Sequence, residues 1–331
     1  MTDEGGILKN KMKIIYYEVL GYREASLALL SKFFEVISLP DPRYDTPEIL
    51  KGTDALLAPL GFLCDATKID MCERLKVIGS NTTGEPHIDR LYAEKKGITV
   101  ISLAGEKDFL SRITPTAEHT IGLLLAVTRH LPWAFQAVLS GTWNRRLFGG
   151  QRMLSMQSLG IVGLGRLGSM VARYGQGFGM SILYYDPYLP EYGGDPAWTR
   201  CNSLEKLVSI SDVVSLHVPA NEETKNMINA ELFSKFRSNA YFINTARGEI
   251  VDELALLSAL KEGRLAGAAV DVLDGEFQPD FAPQNHPLVA YAMEHDNLVI
   301  TPHIGGSTED AWALTEQWTI NRMYSVLREK I

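Results

Sequence analysis

Cysteine is scarce in this 331-residue chain, and positive charge is in the minority. Cys64, Cys72 and Cys201 are the only cysteines. Their spacing matches no metal-ligand pattern, so no metal site is expected. An odd number without a secretory leader points to reduced thiols and a cytoplasmic location. The opening Met1-Thr2-Asp3-Glu4-Gly5-Gly6 is polar and acidic, unlike such a leader, and residues 1 to about 11 are expected to fray. No apolar run nears the ~18 residues a membrane helix needs. Lysine and arginine total 32 against 40 aspartates and glutamates, a net charge of −8. That balance supplies no positive field for nucleic acid or an anionic membrane, so neither is expected as a partner. A local cationic pocket remains compatible with it. Repeats and low-complexity tracts are also missing.

What is present is the balance of a soluble globular protein, 46% hydrophobic and 22% charged residues. The length suits about two domains with ample core. In the first third, apolar runs at 13–17, 34–38, 54–58, 76–79 and 98–101 read as strands, and 24–33 reads as a helix. Strands alternating with helices predict a parallel sheet. Thr114 then stands as N-cap with Pro115 at the first helical position of a long helix to about His130. Further strands are predicted at 158–162, 181–185, 212–216, 241–243, 268–270 and 298–300. A last helix covers about 307–328, and its amphipathic spacing assigns it to neither domain.

The strand at 158–162 runs straight into Gly163-Leu164-Gly165-Arg166-Leu167-Gly168, and a helical stretch follows. In that setting GxGxxG is a dinucleotide-binding turn. The first glycine makes the turn, the second admits the pyrophosphate, and the third lets helix and strand pack closely. Phosphates would rest on the free N–H groups of the helix N-terminus. The next strand ends in Asp186, about 20 residues on, where an acid binds the adenosine ribose. A carboxylate there repels a 2′-phosphate, so the cofactor is read as NAD rather than NADP. The other reading is that Asp186, followed by Pro187, only opens a turn.

Three later segments supply one arginine, one glutamate and one histidine after strand-like runs. They are Asn244-Thr245-Ala246-Arg247-Gly248 with Asp252-Glu253, then the stretch from Asp271 to Glu276, then Thr301-Pro302-His303-Ile304-Gly305-Gly306-Ser307-Thr308. An arginine fork holds a carboxylate with two parallel bonds. A histidine passes a proton near neutral pH. A glutamate accepting a hydrogen bond from that histidine favours the imidazolium. With a hydride carrier alongside, this equipment interconverts a 2-hydroxy acid and a 2-oxo acid. The bland alternatives are a salt bridge from Arg247 to Asp252 or Glu253, and a packed loop histidine at His303.

The order of these motifs, with Val218-Pro219 between them, resembles the D-isomer-specific 2-hydroxyacid dehydrogenases, over roughly residues 76–328. The resemblance implies an α/β fold of two Rossmann-like domains with parallel sheets. A dinucleotide-binding domain at 114–302 would be inserted into a discontinuous, flavodoxin-like substrate domain, 1–113 and 303–331, with the active site in the cleft between them. It implies Arg247 on the substrate carboxylate, His303 as acid/base and Glu276 tuning it. Asp271 would orient the nicotinamide or the catalytic groups. Around the cofactor it places Gly163, Gly165, Arg166, Leu167, Gly168, Asp186, His217, Val218, Pro219, Thr224, Thr245, Ala246, Gly305 and Thr116, together with Arg247 and His303. Thr82, Thr83 and Gly84 would meet the substrate carboxylate opposite Arg247. Relatives dimerise through an arm that here spans about 115–150, so a homodimer is expected. Phe135, Trp143, Leu147 and Phe148 are the apolar candidates for that contact, with ordinary packing inside the domain as the other reading.

Two stretches depart from the family pattern. Glu276 precedes Phe277-Gln278-Pro279 where Glu-Pro is usual, and Glu85-Pro86 replaces an aromatic-Asp or Val-Asp pair. His87 beside it reads as a surface or cap histidine, His119 as structural, and His130, His286 and His295 as structural or solvent-facing. The loop Pro59-Leu60-Gly61-Phe62-Leu63 should meet the far end of the substrate. It holds no arginine, which disfavours a phosphorylated substrate, although Arg112 could supply charge. The reading is thus an NAD-dependent oxidoreductase acting on a small 2-oxo or D-2-hydroxy acid. A non-catalytic NAD sensor on the same scaffold, or a formate or phosphite dehydrogenase, remains as the alternative.

Overall fold

The computed structural model describes residues 11–190, 194–278 and 280–330. The frayed start expected for residues 1–10, and Pro279 of the altered glutamate stretch, lie outside the described residues. Two compact units emerge, Met1–Ile113 with Thr308–Ile331, and Thr114–Ser307. His303 and its loop therefore belong to the second unit.

The first unit holds β1 (Met12–Tyr17), β2 (Phe34–Leu39), β3 (Ala55–Leu57), β4 (Val77–Gly79) and β5 (Thr99–Ile101). All neighbours are parallel, in the order β2-β1-β3-β4-β5. Alternate residues of β1 serve opposite cores. Ile14 and Tyr16 pack on one face with Leu30, while Ile15 and Tyr17 pack on the other with Leu56 and Ile78. A parallel sheet covered on both faces needs such continuously apolar strands. The helix Glu309–Glu329 belongs to this unit, which settles what its spacing left open. Ile320, Met323, Tyr324 and Leu327 lie on one face of it and join the first core. A Cβ on Gly79 would stand 2.2 Å from Met323 Sδ, so the helix rests directly on β4.

The second unit holds β6 (Ser158–Val162), β7 (Ser181–Tyr185), β8 (Thr199–Arg200), β9 (Val213–Leu216), β10 (Ala240–Asn244), β11 (Leu265–Val270) and β12 (Leu298–Ile300). Again every pairing is parallel, in the order β12-β11-β10-β9-β6-β7-β8. Leu159, Ile161, Val214, Phe242 and Ile243 are fully buried, each contributing roughly 1.5–3 kcal/mol. β8 was not foreseen, being too short to print a periodic pattern. Strand order reverses between β6 and β9, and a crevice for ligands opens at such a switch, beyond the carboxyl ends of the strands. The segments that begin at Gly163, His217, Thr245, Asp271 and Thr301 all leave from those ends.

Pro115–Thr128 is the helix expected from Pro115. Thr114 does not cap it as expected. Its backbone is not extended as a capping residue's is (φ −105°, ψ −13°), and its hydroxyl bonds the Glu118 carboxylate instead.

Candidate active site

β6 delivers the chain to Gly163, whose φ of 85° lies in the left-handed region. A Cβ there would fall 2.6 Å from Val218 and 2.8 Å from the His217 carbonyl. Gly165 opens the helix Arg166–Gly177, with free space where its Cβ would stand. At Gly168 a Cβ would sit 2.0 Å from the Gly163 carbonyl oxygen, so only glycine lets the helix close on the turn. Leu167 packs on the core beneath. Arg166 starts the helix, and burial lowers its pKa. This cradle fits a dinucleotide pyrophosphate, with backbone approach at Gly165 and a helix N-terminus behind it.

Asp186 caps the end of β7 with both oxygens engaged. Oδ2 accepts the Leu164 N–H at 2.9 Å and Oδ1 accepts the Tyr188 N–H at 2.9 Å. The carboxylate thus closes a turn after Pro187 and also reaches the glycine turn. About four lone-pair sites are available on a carboxylate, so room for ribose hydroxyls remains. His217 bonds Ser215 Oγ through Nε2 at 2.9 Å, and burial pushes its pKa down to about 3. Part of the residue stays exposed, and the ring is neutral. Thr224 closes the turn after Pro219, donating to its carbonyl at 2.6 Å.

The arginine loop is shaped by Asn244 at the end of β10. Its Oδ1 accepts the Ala246 N–H at 3.0 Å and its Nδ2 donates to the Arg247 carbonyl at 2.8 Å. Thr245 is buried against Thr120, hydroxyl to hydroxyl at 2.8 Å. Arg247 is half-buried and donates from Nη1 to the Ala246 carbonyl at 2.6 Å. Asp252 instead caps the helix Glu253–Lys261, and Glu253 accepts the Asp274 N–H at 3.0 Å. Among the described residues neither makes the salt bridge weighed for Arg247. Gly248 lies tight against the next segment, where a Cβ would come within 2.2 Å of the Asp274 nitrogen.

The histidine loop is organised by Asp271, which is 2% exposed. Its carboxylate accepts from Thr301 Oγ1 at 2.6 Å, Ile304 N at 2.9 Å and Gly305 N at 2.7 Å, and pairs with His119 Nε2 at 3.2 Å. Burial works against the ionised form, but these donors outweigh it and hold the carboxyl below its usual range. The Asp271 carbonyl also accepts the His303 N–H at 2.8 Å. His303 is held at φ 52°, which a side chain rarely adopts. Its Nδ1 lies 2.7 Å from Glu276 Oε1. A carboxylate only accepts, so the hydrogen sits on Nδ1 and Nε2 is left for a reacting group. Phe277 stands by the ring at 5.4 Å. Beyond it, Leu273, Phe281, Met293 and Ile300 help line a cavity of about 570 Å³ that reaches Glu276 and His303. Thr116 touches the same loop, since Cβ atoms on Gly305 and Gly306 would lie 3.5 and 3.8 Å from it.

In the first unit, the Thr82 hydroxyl donates to the Gly84 carbonyl at 2.6 Å, which folds the loop through Thr83 back on itself. Glu85 is gripped by both nitrogen arms of Arg90, so its carboxylate is committed there. His87 corrects the reading of a surface or cap histidine. It is buried, with Nε2 3.2 Å from the Ala58 carbonyl and 3.3 Å from Ser80 Oγ, and burial lowers its pKa.

Sequence reasoning missed the parts of the site that bind through space. His119 and Thr301 brace Asp271, and Glu253 pairs with His286 at 2.9 Å. A threonine two places before a candidate histidine was the one available signal. Of the arm candidates, Phe135, Trp143 and Leu147 are exposed and Phe148 is half-buried. The helix Leu131–Leu139 buries none of its residues.

Residues 121–305 match the family model described as D-isomer specific 2-hydroxyacid dehydrogenase, NAD binding domain. Over 319 residues the chain is 36% identical to a glyoxylate reductase of Thermofilum pendens, covering 92% of this chain and 89% of that one. Over 285 residues it is 35% identical to a D-3-phosphoglycerate dehydrogenase of Methanocaldococcus jannaschii, covering 86% of this chain and 52% of that one. The chain thus spans about half the length of the phosphoglycerate dehydrogenases it matches. Among solved structures, a D-lactate dehydrogenase from Aquifex aeolicus complexed with NAD and lactic acid aligns with a TM-score of 0.77 at 28% identity. That alignment covers 96% of this chain and 95% of the other.

Proposed function

The chain belongs to the D-isomer specific 2-hydroxyacid dehydrogenase family and carries its NAD binding domain, and on that premise we propose that it interconverts a small D-2-hydroxy acid and its 2-oxo acid. The observation that carries this is the 2.7 Å bond from His303 Nδ1 to Glu276, made at the same end of the sheet as the glycine turn and Arg247. Bound NADH supplies the hydride in the direction of reduction. Arg247 holds the substrate carboxylate through its planar fork. His303 gives the proton on Nε2 to the carbonyl oxygen, and Glu276 holds the ring on Nδ1 and balances the imidazolium. Asp271 keeps the histidine loop in its strained shape. Asp186 faces the ribose and selects NAD over NADP.

The substrate proposed is a non-phosphorylated 2-oxo acid. The loop from Pro59 to Leu63 is apolar, and Lys68, the next cation along the chain, is buried with Asp45 and Tyr17, each at 2.8 Å. We assign the exposed apolar arm at Leu131, Phe135, Leu139 and Trp143 to a homodimer contact, which light scattering on a Phe135→Glu variant tests by loss of the dimer.

The experiment is NADH consumption across glyoxylate, larger 2-oxo acids and a phosphorylated 2-oxo acid, with NADPH alongside. Turnover with a non-phosphorylated acid is expected. His303→Ala should lower it by about 10²–10⁴-fold while NADH still binds. Tight NAD binding without turnover on any acid would replace this reading with an NAD sensor. NAD reduction by formate alone would replace it with formate oxidation.

A further inference from the structure

Beside the residues assigned to the reaction lies a second carboxylate–imidazole pair. Glu253 begins the helix that follows the Arg247 loop. Its Oε1 accepts the Asp274 N–H at 3.0 Å, and its Oε2 lies 2.9 Å from His286 Nε2. The Glu253 and His286 side chains are only 16% and 12% exposed. His286 Nδ1 accepts the Leu288 N–H at 3.3 Å and so caps the helix Pro287–Ala292. A ring nitrogen that accepts carries no hydrogen, so the hydrogen of the neutral ring is on Nε2 and points at Glu253.

One carboxylate therefore grips the chain at Asp274 and again at His286. Glu276 lies on the segment between those two points. The grip starts from the same stretch of chain as Arg247, and Gly248 closes against Leu273 and Asp274 in between. Burial drives the Glu253 carboxyl up to about 7, and the negative charges of Asp274, Glu276 and Glu249 add to that rise. Burial drives His286 down.

We propose that Glu253 and His286 are positioning residues that pin both ends of the Glu276 segment and so hold Glu276 on His303 in register with Arg247. This rests on the reading of Arg247, Glu276 and His303 given above. A displacement near 1 Å at a reacting group costs about 10²-fold in rate.

The test compares Glu253→Ala, Glu253→Gln and His286→Ala with the parent chain, each normalised to NADH-binding sites. Glu253→Ala should lower kcat by about 10²-fold, with NADH affinity within about twofold of the parent. The Gln variant keeps an amide oxygen for the Asp274 N–H and should recover at least about tenfold of that loss. A kcat per site unchanged in Glu253→Ala overturns the proposal, and so does equal loss in the Ala and Gln variants. If the parent reduces no 2-oxo acid, the reading of the reaction fails by itself. Hydrogen exchange then decides the positioning role. Exchange at 274–278 should rise in Glu253→Ala while that of the glycine turn at 163–168 stays as in the parent, and unchanged exchange at 274–278 overturns the proposal.

Discussion

Replacing Asp271 by Ala takes a single carboxylate away from Thr301, Ile304, Gly305 and His119 at once. Each hydrogen bond to a charged group is worth roughly 1.5–3 kcal/mol. The four do not add, because they share one acceptor and the donors relax together. Breaking a buried, partnered charge costs about 3–5 kcal/mol in total. With a urea slope of about 2–3 kcal/mol per molar for a unit of this size, the midpoint should fall by roughly 1–2 M. The pH dependence follows from the lowered pKa of this carboxyl. Its stabilisation is fully present above the unfolded value of 3.8 and is lost as pH falls through the depressed folded value, so the gap between parent and variant narrows below about pH 4. Turnover should fall as well, even where the variant is folded. The His303 N–H keeps its bond to the backbone carbonyl of residue 271, but the next two amides lose theirs, and the left-handed His303 is free to relax. Urea titration followed by circular dichroism, with turnover measured on the folded protein, checks both. A cost below about 1 kcal/mol, or turnover equal to the parent, would refute the reasoning.

Arg247→Lys should raise KM for the acid by about tenfold or more, because a point charge cannot copy a bidentate fork; equal kcat/KM would remove the clamp. Asp186→Ala should shrink the preference for NADH over NADPH, read as the ratio of their kcat/KM values, and an unchanged ratio would leave Asp186 only its turn. For Glu253 the folded pKa is raised from 4.5 to about 7, so the native state holds that proton more tightly than the unfolded chain. The contribution is full below pH 4.5 and lost as pH rises through about 7, a fall of up to about 3 kcal/mol. Glu253→Gln should lack that fall, and urea midpoints at pH 5 and pH 8 that move in parallel with the parent's would count against it.

Much of the second unit could be read from one dimension because its signals are local. β6, β7 and β12 begin and end at the predicted residues, since each is a short apolar run bounded by turn formers. Gly163 and Gly168 were legible for a similar reason, as the constraint acts between residues of one turn. Glu276 was harder, because its flanking residues depart from pattern and its approach to His303 is visible only in three dimensions. His87 was misread because burial belongs to the surroundings and not to the residue.

The amino-acid order by itself determined the strand–turn–helix unit, the acid after β7, and the placing of Arg247 and His303 just beyond strand ends. Those follow from hydrophobic period and from glycine's freedom of backbone angle, which act over a few residues. Only the tertiary structure decided that the last helix joins the first sheet, that His303 takes a left-handed angle, and that Asp271 and Glu253 gather donors from distant segments. Those depend on which strands become neighbours, and hydrogen bonds across that distance exist only once the sheet has brought their ends together.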